Sequence, residues 1–203
     1  MNPITDTVGF LIQPQWPIYI FWLLLLGSLG LAAVNLVRDP KQRSGAHVWL
    51  WLARLLIGGM WWQQTLWKLP PTFDGLHYWL DQMAQHAAFG WQRAFVQQLV
   101  QPNFTLFAAM VYAMEVGIAI SLMLGLLTRL GGALGALQAL NLWTGLYGSP
   151  EEWTWTYLFL LVIQVTFAVF HAGQSLGLDA ILARQEPAQP RLQGAGRVLK
   201  WLR

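Results

Sequence analysis

Glu115 stands in the middle of an apolar run, Phe104 to Leu127, and Arg54, Gln138, Asn141 and Gln164 lie inside other apolar runs of the same chain. A charge in hydrocarbon costs about 2.5 to 3.5 kcal/mol on insertion scales unless it is paired or neutralised. Helical rise from the basic ends of these runs puts Arg54 about 10 Å in, Gln138 about 12 Å, Gln164 about 13 Å, Asn141 about 16 Å and Glu115 about 18 Å. The five side chains therefore share one layer. A guanidinium–carboxylate pair between Arg54 and Glu115 is a stable way to hold both charges there. Two readings of the layer are open. It binds the polar head of a lipid-soluble molecule, with Glu115 exchanging a proton when that head is reduced, or it is a buried polar cluster that fixes helix register.

The elements that position this layer are apolar helices. The chain has 203 residues, 56% of them hydrophobic and 10% charged, with 13 tryptophans. Soluble domains carry about 25% charged residues, so the composition is that of a membrane protein. Five spans are predicted: Trp16 to Val37, His47 to Trp67, Phe104 to Leu127, Leu130 to Tyr147 and Trp153 to His171. The first is long enough to cross a hydrocarbon core of about 30 Å, and no cleavage site follows it, so it is read as retained. Only Thr128 and Arg129 join the third span to the fourth, which makes them antiparallel neighbours.

Basic residues set the orientation. Arg38, Lys41 and Arg43 follow the first span, Arg129 the third, and Arg184, Arg191, Arg197, Lys200 and Arg203 the fifth. These mark the cytoplasmic side, with the N-terminus outside and the C-terminus inside. The same topology accounts for the net charge of +3 without nucleic acid. With no cysteine in the chain, disulfides, thiolate metal sites and dithiol redox pairs are excluded, so redox chemistry needs an organic cofactor or a partner's centre.

The segment Asp74 to Val100 is too polar to span, yet its apolar residues recur at helical spacing, which predicts an amphipathic helix lying on the outer surface. Pro70, Pro71 and Pro102 bracket it. It serves either as a packing lid or as a ligand gate. His77 and His86 are nine residues apart and do not share a helical face, so they are read as solvated and no metal site is expected. Gly58 with Gly59, Gly131 with Gly135, and Gly117 with Ser121 offer close helix packing. Lys68, beside Trp67, is placed to snorkel to the outer interface.

The order Arg54-Leu-Leu-Ile-Gly-Gly, Trp67-Lys68-Leu69, Glu115 ahead of Gly125-Leu-Leu-Thr-Arg129, and Gly177-Leu-Asp179 resembles the DoxX/DoxD family of small bacterial membrane proteins. The likeness covers about residues 48 to 182 and departs from the family at Gln174, where a basic residue is usual; His171 is the nearest compensating charge. The likeness implies the four-helix membrane core, and with the spans read above it gives an all-α membrane protein in three parts: an N-terminal helix and basic loop (1–46), a four-helix membrane domain (47–182) with an outer interfacial segment (70–103), and a basic tail (183–203).

Family function implies quinone-linked oxidoreduction, with thiosulfate as one electron source, in the bacterial cytoplasmic membrane. On that reading Glu115 and Arg54 are catalytic, Asn141, Gln138 and Gln164 bind quinone, and Lys68, Arg129 and Asp179 bind substrate. The expected partners are membrane lipid and other subunits or a second copy of the chain. The alternative is a non-catalytic accessory subunit of a respiratory or photosynthetic complex. A transporter is disfavoured, because no inverted repeat is present.

Overall fold

A computed structural model describes residues 2–185, and they form α-helices and short helical turns without strands. The apolar runs become α2 (Trp16–Arg38), α3 (Gly45–Thr65), α6 (Phe104–Leu124), α7 (Thr128–Gly145) and α8 (Trp155–Val169). Four shorter helices accompany them: α1 (Pro3–Leu11), α4 (Asp74–His86), α5 (Gly90–Phe95) and α9 (Leu178–Gln185). Among the described residues, two helical runs are long and apolar enough to cross a membrane by themselves, Trp16–Arg38 and Gly90–Leu124, and Trp155–Val169 is apolar but shorter. Arg191, Arg197, Lys200 and Arg203, with most of the expected basic tail, lie outside the described residues.

Helices α3 and α6 pack antiparallel, and Gly58 sets their register. A Cβ at Gly58 would lie 3.0 Å from the Met123 amide nitrogen. Gly131 gives room to Ser121 and Gly135 to the amide of Gln164, bringing α7 against α6 and α8. Of the small pair Gly117 and Ser121, expected to admit a neighbouring helix, Ser121 does so against Gly131 while Gly117 faces open space. The core between these helices is apolar, with Trp61, Trp62, Ile118, Leu122 and Phe167 at its centre.

Pro102 does not end the outer segment. The helical path runs on from Gly90 through a π turn, Val96–Val100, and a 3-10 turn, Gln101–Asn103, into α6. Such turns take up the hydrogen bond that a proline cannot donate, and Asn103 Nδ2 donates to the Leu99 carbonyl left beside it (2.9 Å). Helix α4 covers this end of the bundle, burying Leu76, Met83 and Ala84 and leaving Asp81 and Gln85 exposed.

The first span is tied into the bundle. Trp51 Nε1 donates to Ser28 Oγ (3.1 Å), Trp62 Nε1 to the Pro17 carbonyl (3.1 Å), and Asn35 Nδ2 to the Gly177 carbonyl (3.0 Å). Arg184, expected in a peripheral tail, donates to Asn35 Oδ1 at 2.5 Å and pairs with Asp39 at 3.6 Å.

Candidate functional site

Register decides which cation meets the buried acid. With Gly58 opposite Leu122 and Met123, seven residues up α3 correspond to seven down α6, so the end of α3 lies beside Glu115. Lys68, in the 3-10 turn that closes α3, reaches Glu115 Oε2 at 2.5 Å. Both side chains are buried, and the ammonium also lies 4.4 Å from the Trp67 ring centroid. Gln138 Nε2 donates to the other carboxylate oxygen at 3.2 Å. The carboxylate is thereby held by one cation and one amide, the arrangement a charge needs away from water.

Arg54 does not make the expected pair with Glu115. The same register sends it toward the opposite end, where Nη1 donates to the Leu122 carbonyl and Nη2 to the Ser175 carbonyl, each at 2.9 Å. Gly125, at φ +67°, makes this possible, because a methyl group there would fall on the guanidinium. Asp179 caps the start of α7, accepting from Leu127 N (2.9 Å), Thr128 N (3.1 Å) and Thr128 Oγ1 (3.0 Å). A carboxylate at a helix N-terminus is favourably placed against the helix dipole. Arg129 lies 3.2 Å from His171. Arg129 and Asp179 therefore do not join Lys68: roughly 15 Å of helical rise along α6 separates Glu115 from Gly125.

The Lys68–Glu115 pair opens on a cavity of about 740 Å³, within the range of small-molecule sites. Its walls are mostly apolar and aromatic, contributed by α3, α6, α7 and α8 and roofed by α4 and α5; Trp61, Trp79, Met83, Val111 and Leu160 are among them. Phe95 and Phe159, both exposed, stand on its rim. Gln138 and Asn141, one turn apart on α7, supply a polar strip that continues through Gln92, whose Nε2 donates to Thr144 Oγ1 (3.1 Å) and Asn141 Oδ1 (3.4 Å). Glu152 and Tyr157 line another part of the wall. Nearby on α4, Tyr78 donates to Glu151 (2.5 Å), and the bond to that carboxylate raises the phenol above its ordinary pKa.

Gln164 is not a cavity residue. It is fully buried against Gly135, because two glycines let α8 close on α7 and the amide fills the contact. Sequence reasoning placed Glu115, Gln138 and Asn141 together correctly but missed Trp61 and Gln92. Gln92 belongs to the segment read as a surface lid, and its helical spacing with the apolar residues around it was the available signal.

The family model described as TQO small subunit DoxD matches residues 78–190, slightly more than half of the chain. The chain belongs to the DoxD family. The matched stretch of this DoxD chain contains Glu115, Gln138, Asn141, Gln164, Arg129 and Asp179 and begins beyond Arg54 and Lys68. Family and apolar helices together make it a membrane protein. No curated protein and no solved structure matches the chain.

Proposed function

We propose that this DoxD chain is the quinone-binding membrane subunit of an oxidoreductase, with the cavity at Lys68 and Glu115 as its carrier site. The observation that carries the reading is a large apolar cavity ending on a buried ion pair. Its lining fits a ring with oxygen substituents: aromatic walls for the ring, and Lys68, Glu115, Gln138 and Asn141 for the oxygens. A bound quinone supplies two-electron, two-proton redox chemistry. Glu115 holds a proton-accepting oxygen beside the ring, Lys68 balances its charge, and Gln138 fixes the carboxylate's orientation. Apolar walls exclude water from the exchange.

The cavity suits a neutral lipophile better than an anion. Lys68 is already neutralised by Glu115, and Glu151 and Glu152 stand on the outer loop. The electron donor, thiosulfate or another reduced sulfur anion as the family's description suggests, is therefore handled by a partner subunit. Arg54 and Asp179 serve as positioning residues for the opposite end of the bundle.

The proposed topology has five spans, α2, α3, α6, α7 and α8, in the cytoplasmic membrane, with α4 and α5 as an interfacial roof on the outside. It is supported by charge. Arg38, Lys41, Arg43, Arg129 and Arg184 sit at the Arg54 end, against Arg93 on the roof at the other, the bias of the positive-inside rule.

The test is saturable binding of decylubiquinone to the full chain in lipid nanodiscs. Wild type should bind, and Val111→Trp, which fills the cavity from α6, should lower affinity at least tenfold while the protein stays folded. Equal binding by both would contradict the reading.

A further inference from the structure

The cavity wall is not continuous. Helix α3 packs on α6, α6 on α7 and α7 on α8, but α8 does not return to pack along α3. The α3 side of this gap presents Met60 and Gln64, both half-buried; the α8 side presents Phe159, 59% exposed, and Ile163. All four line the cavity. Residues four apart share a helical face, so each helix turns one edge to the gap and to the cavity at once. The opposite side of the ring, between α6 and α7, is strapped by α5. There Gln92 Nε2 donates to Thr144 Oγ1 (3.1 Å) and Asn141 Oδ1 (3.4 Å) on α7, and the Phe95 ring meets Phe107 of α6 edge-on, with centroids 6.2 Å apart. The α3–α8 side has no such strap among the described residues; the turn that touches both helices, Ala172–Gln174, lies at the Arg54 end.

The gap lies at the depth of the ion pair. Gly135 seats on Gln164, so Gln138, further along α7, is level with the stretch around Leu161 on antiparallel α8, and Gln138 donates to Glu115. Phe159 is therefore close to the level of Lys68 and Glu115, and about 6 Å of helical rise inside the start of α8 at Trp155. At that depth the surroundings are the hydrocarbon of the outer leaflet, and the exposed side chains of α8 here, Phe159 and Val162, are apolar.

The geometry points to the α3–α8 gap as a lateral doorway, through which a long-tailed carrier enters head first from the outer leaflet and keeps its tail in the bilayer. This rests on the quinone reading above. The head arrives level with Lys68 and Glu115, so it reaches them without α4 or α5 lifting. Met60 and Phe159 form the two jambs, an adaptable thioether facing an aromatic ring. The ligand class follows: a flat polar head on a lipid tail, the head fitted by the cavity and the tail beyond the doorway fitted by lipid alone.

The test photolabels the full chain in nanodiscs with a decylubiquinone analogue carrying a diazirine on its tail near the ring, and counts the labelling that excess decylubiquinone displaces. That label should map to α3 and α8 around Met60, Gln64, Phe159 and Ile163, and not to the α6–α7 side around Phe95 and Phe107. A second measurement uses the absence of native cysteine. Gln64→Cys/Phe159→Cys is bridged by a flexible bifunctional thiol reagent, with the bridge verified by mass, and compared with the same variant capped by a monofunctional reagent. The bridge bars the doorway and should slow decylubiquinone association by about tenfold or more, as expected when binding must wait for an opening. Displaceable label on the α6–α7 side, or equal association by bridged and capped protein, overturns the doorway and leaves the carrier site standing. No displaceable label together with no saturable decylubiquinone binding by wild type overturns the carrier site as well.

Discussion

Lys68 and Glu115, 47 residues apart in sequence, meet in a buried ion pair of 2.5 Å at the floor of the cavity. Removing one partner strands the other charge in low dielectric, which costs about 3 to 5 kcal/mol. Glu115→Gln and Lys68→Met should therefore each lower stability by that order in detergent unfolding. The double variant should recover most of the loss, since two neutral side chains need no pairing. Additive losses in the double variant would contradict the pairing.

Arg54 acts on the opposite end. Arg54→Leu unpairs the Leu122 and Ser175 carbonyls, at about 1 to 3 kcal/mol for each buried group. The folded fraction should bind decylubiquinone with wild-type affinity, because Arg54 is not a cavity residue. A raised Kd in folded Arg54→Leu would return this residue to the carrier site.

Asp179→Ala should weaken the cap on α7 by about 0.5 to 2 kcal/mol, with ligand affinity unchanged. Thermal unfolding and a binding titration of the same preparation measure both. A large fall in affinity without a fall in stability would assign Asp179 to ligand binding instead.

The C-terminal boundary of the bundle is testable by truncation. Ending the chain after Leu182 removes the Arg184 contacts to Asn35 and Asp39 and should cost about 1 kcal/mol while allowing membrane insertion. Ending it after Gln185 keeps those contacts. Loss of insertion on truncation after Leu182 would make α9 essential to the fold.

The absence of cysteine makes topology directly measurable. Single cysteines at Lys41 and Pro150, both exposed, should react differently with a membrane-impermeant thiol reagent on spheroplasts: Pro150→Cys at once, Lys41→Cys only after permeabilisation. The reverse pattern would invert the proposed orientation.

The apolar runs were legible because hydrophobicity and length are properties of sequence alone, and each became a helix within two residues or so of its expected ends, apart from the three-residue turn Gly125–Leu127. The partner of Glu115 was not legible. Counting rise gives depth but not azimuth or register, and register here depends on Gly58 seating against Met123. That single contact gives the acid to Lys68 and turns Arg54 away. Pro102 misled for a related reason: a proline stops an ideal α-helix, whereas a π turn and a 3-10 turn together carry the chain past it. The segment carrying Trp79, Met83 and Gln92 reads as an outer lid, but the cavity it roofs is not legible, because that cavity forms only where six helices converge.

The most direct test of the carrier site is the quinone content of the purified full chain. Wild type and the Lys68→Met/Glu115→Gln double variant would be extracted in mild detergent, checked for native near-ultraviolet circular dichroism, and assayed for quinone in their lipid extracts. Wild type should carry near-stoichiometric quinone and the folded double variant little. Equal quinone in both, or none in wild type alongside a stoichiometric protein partner, would contradict the carrier site and make the chain an accessory subunit.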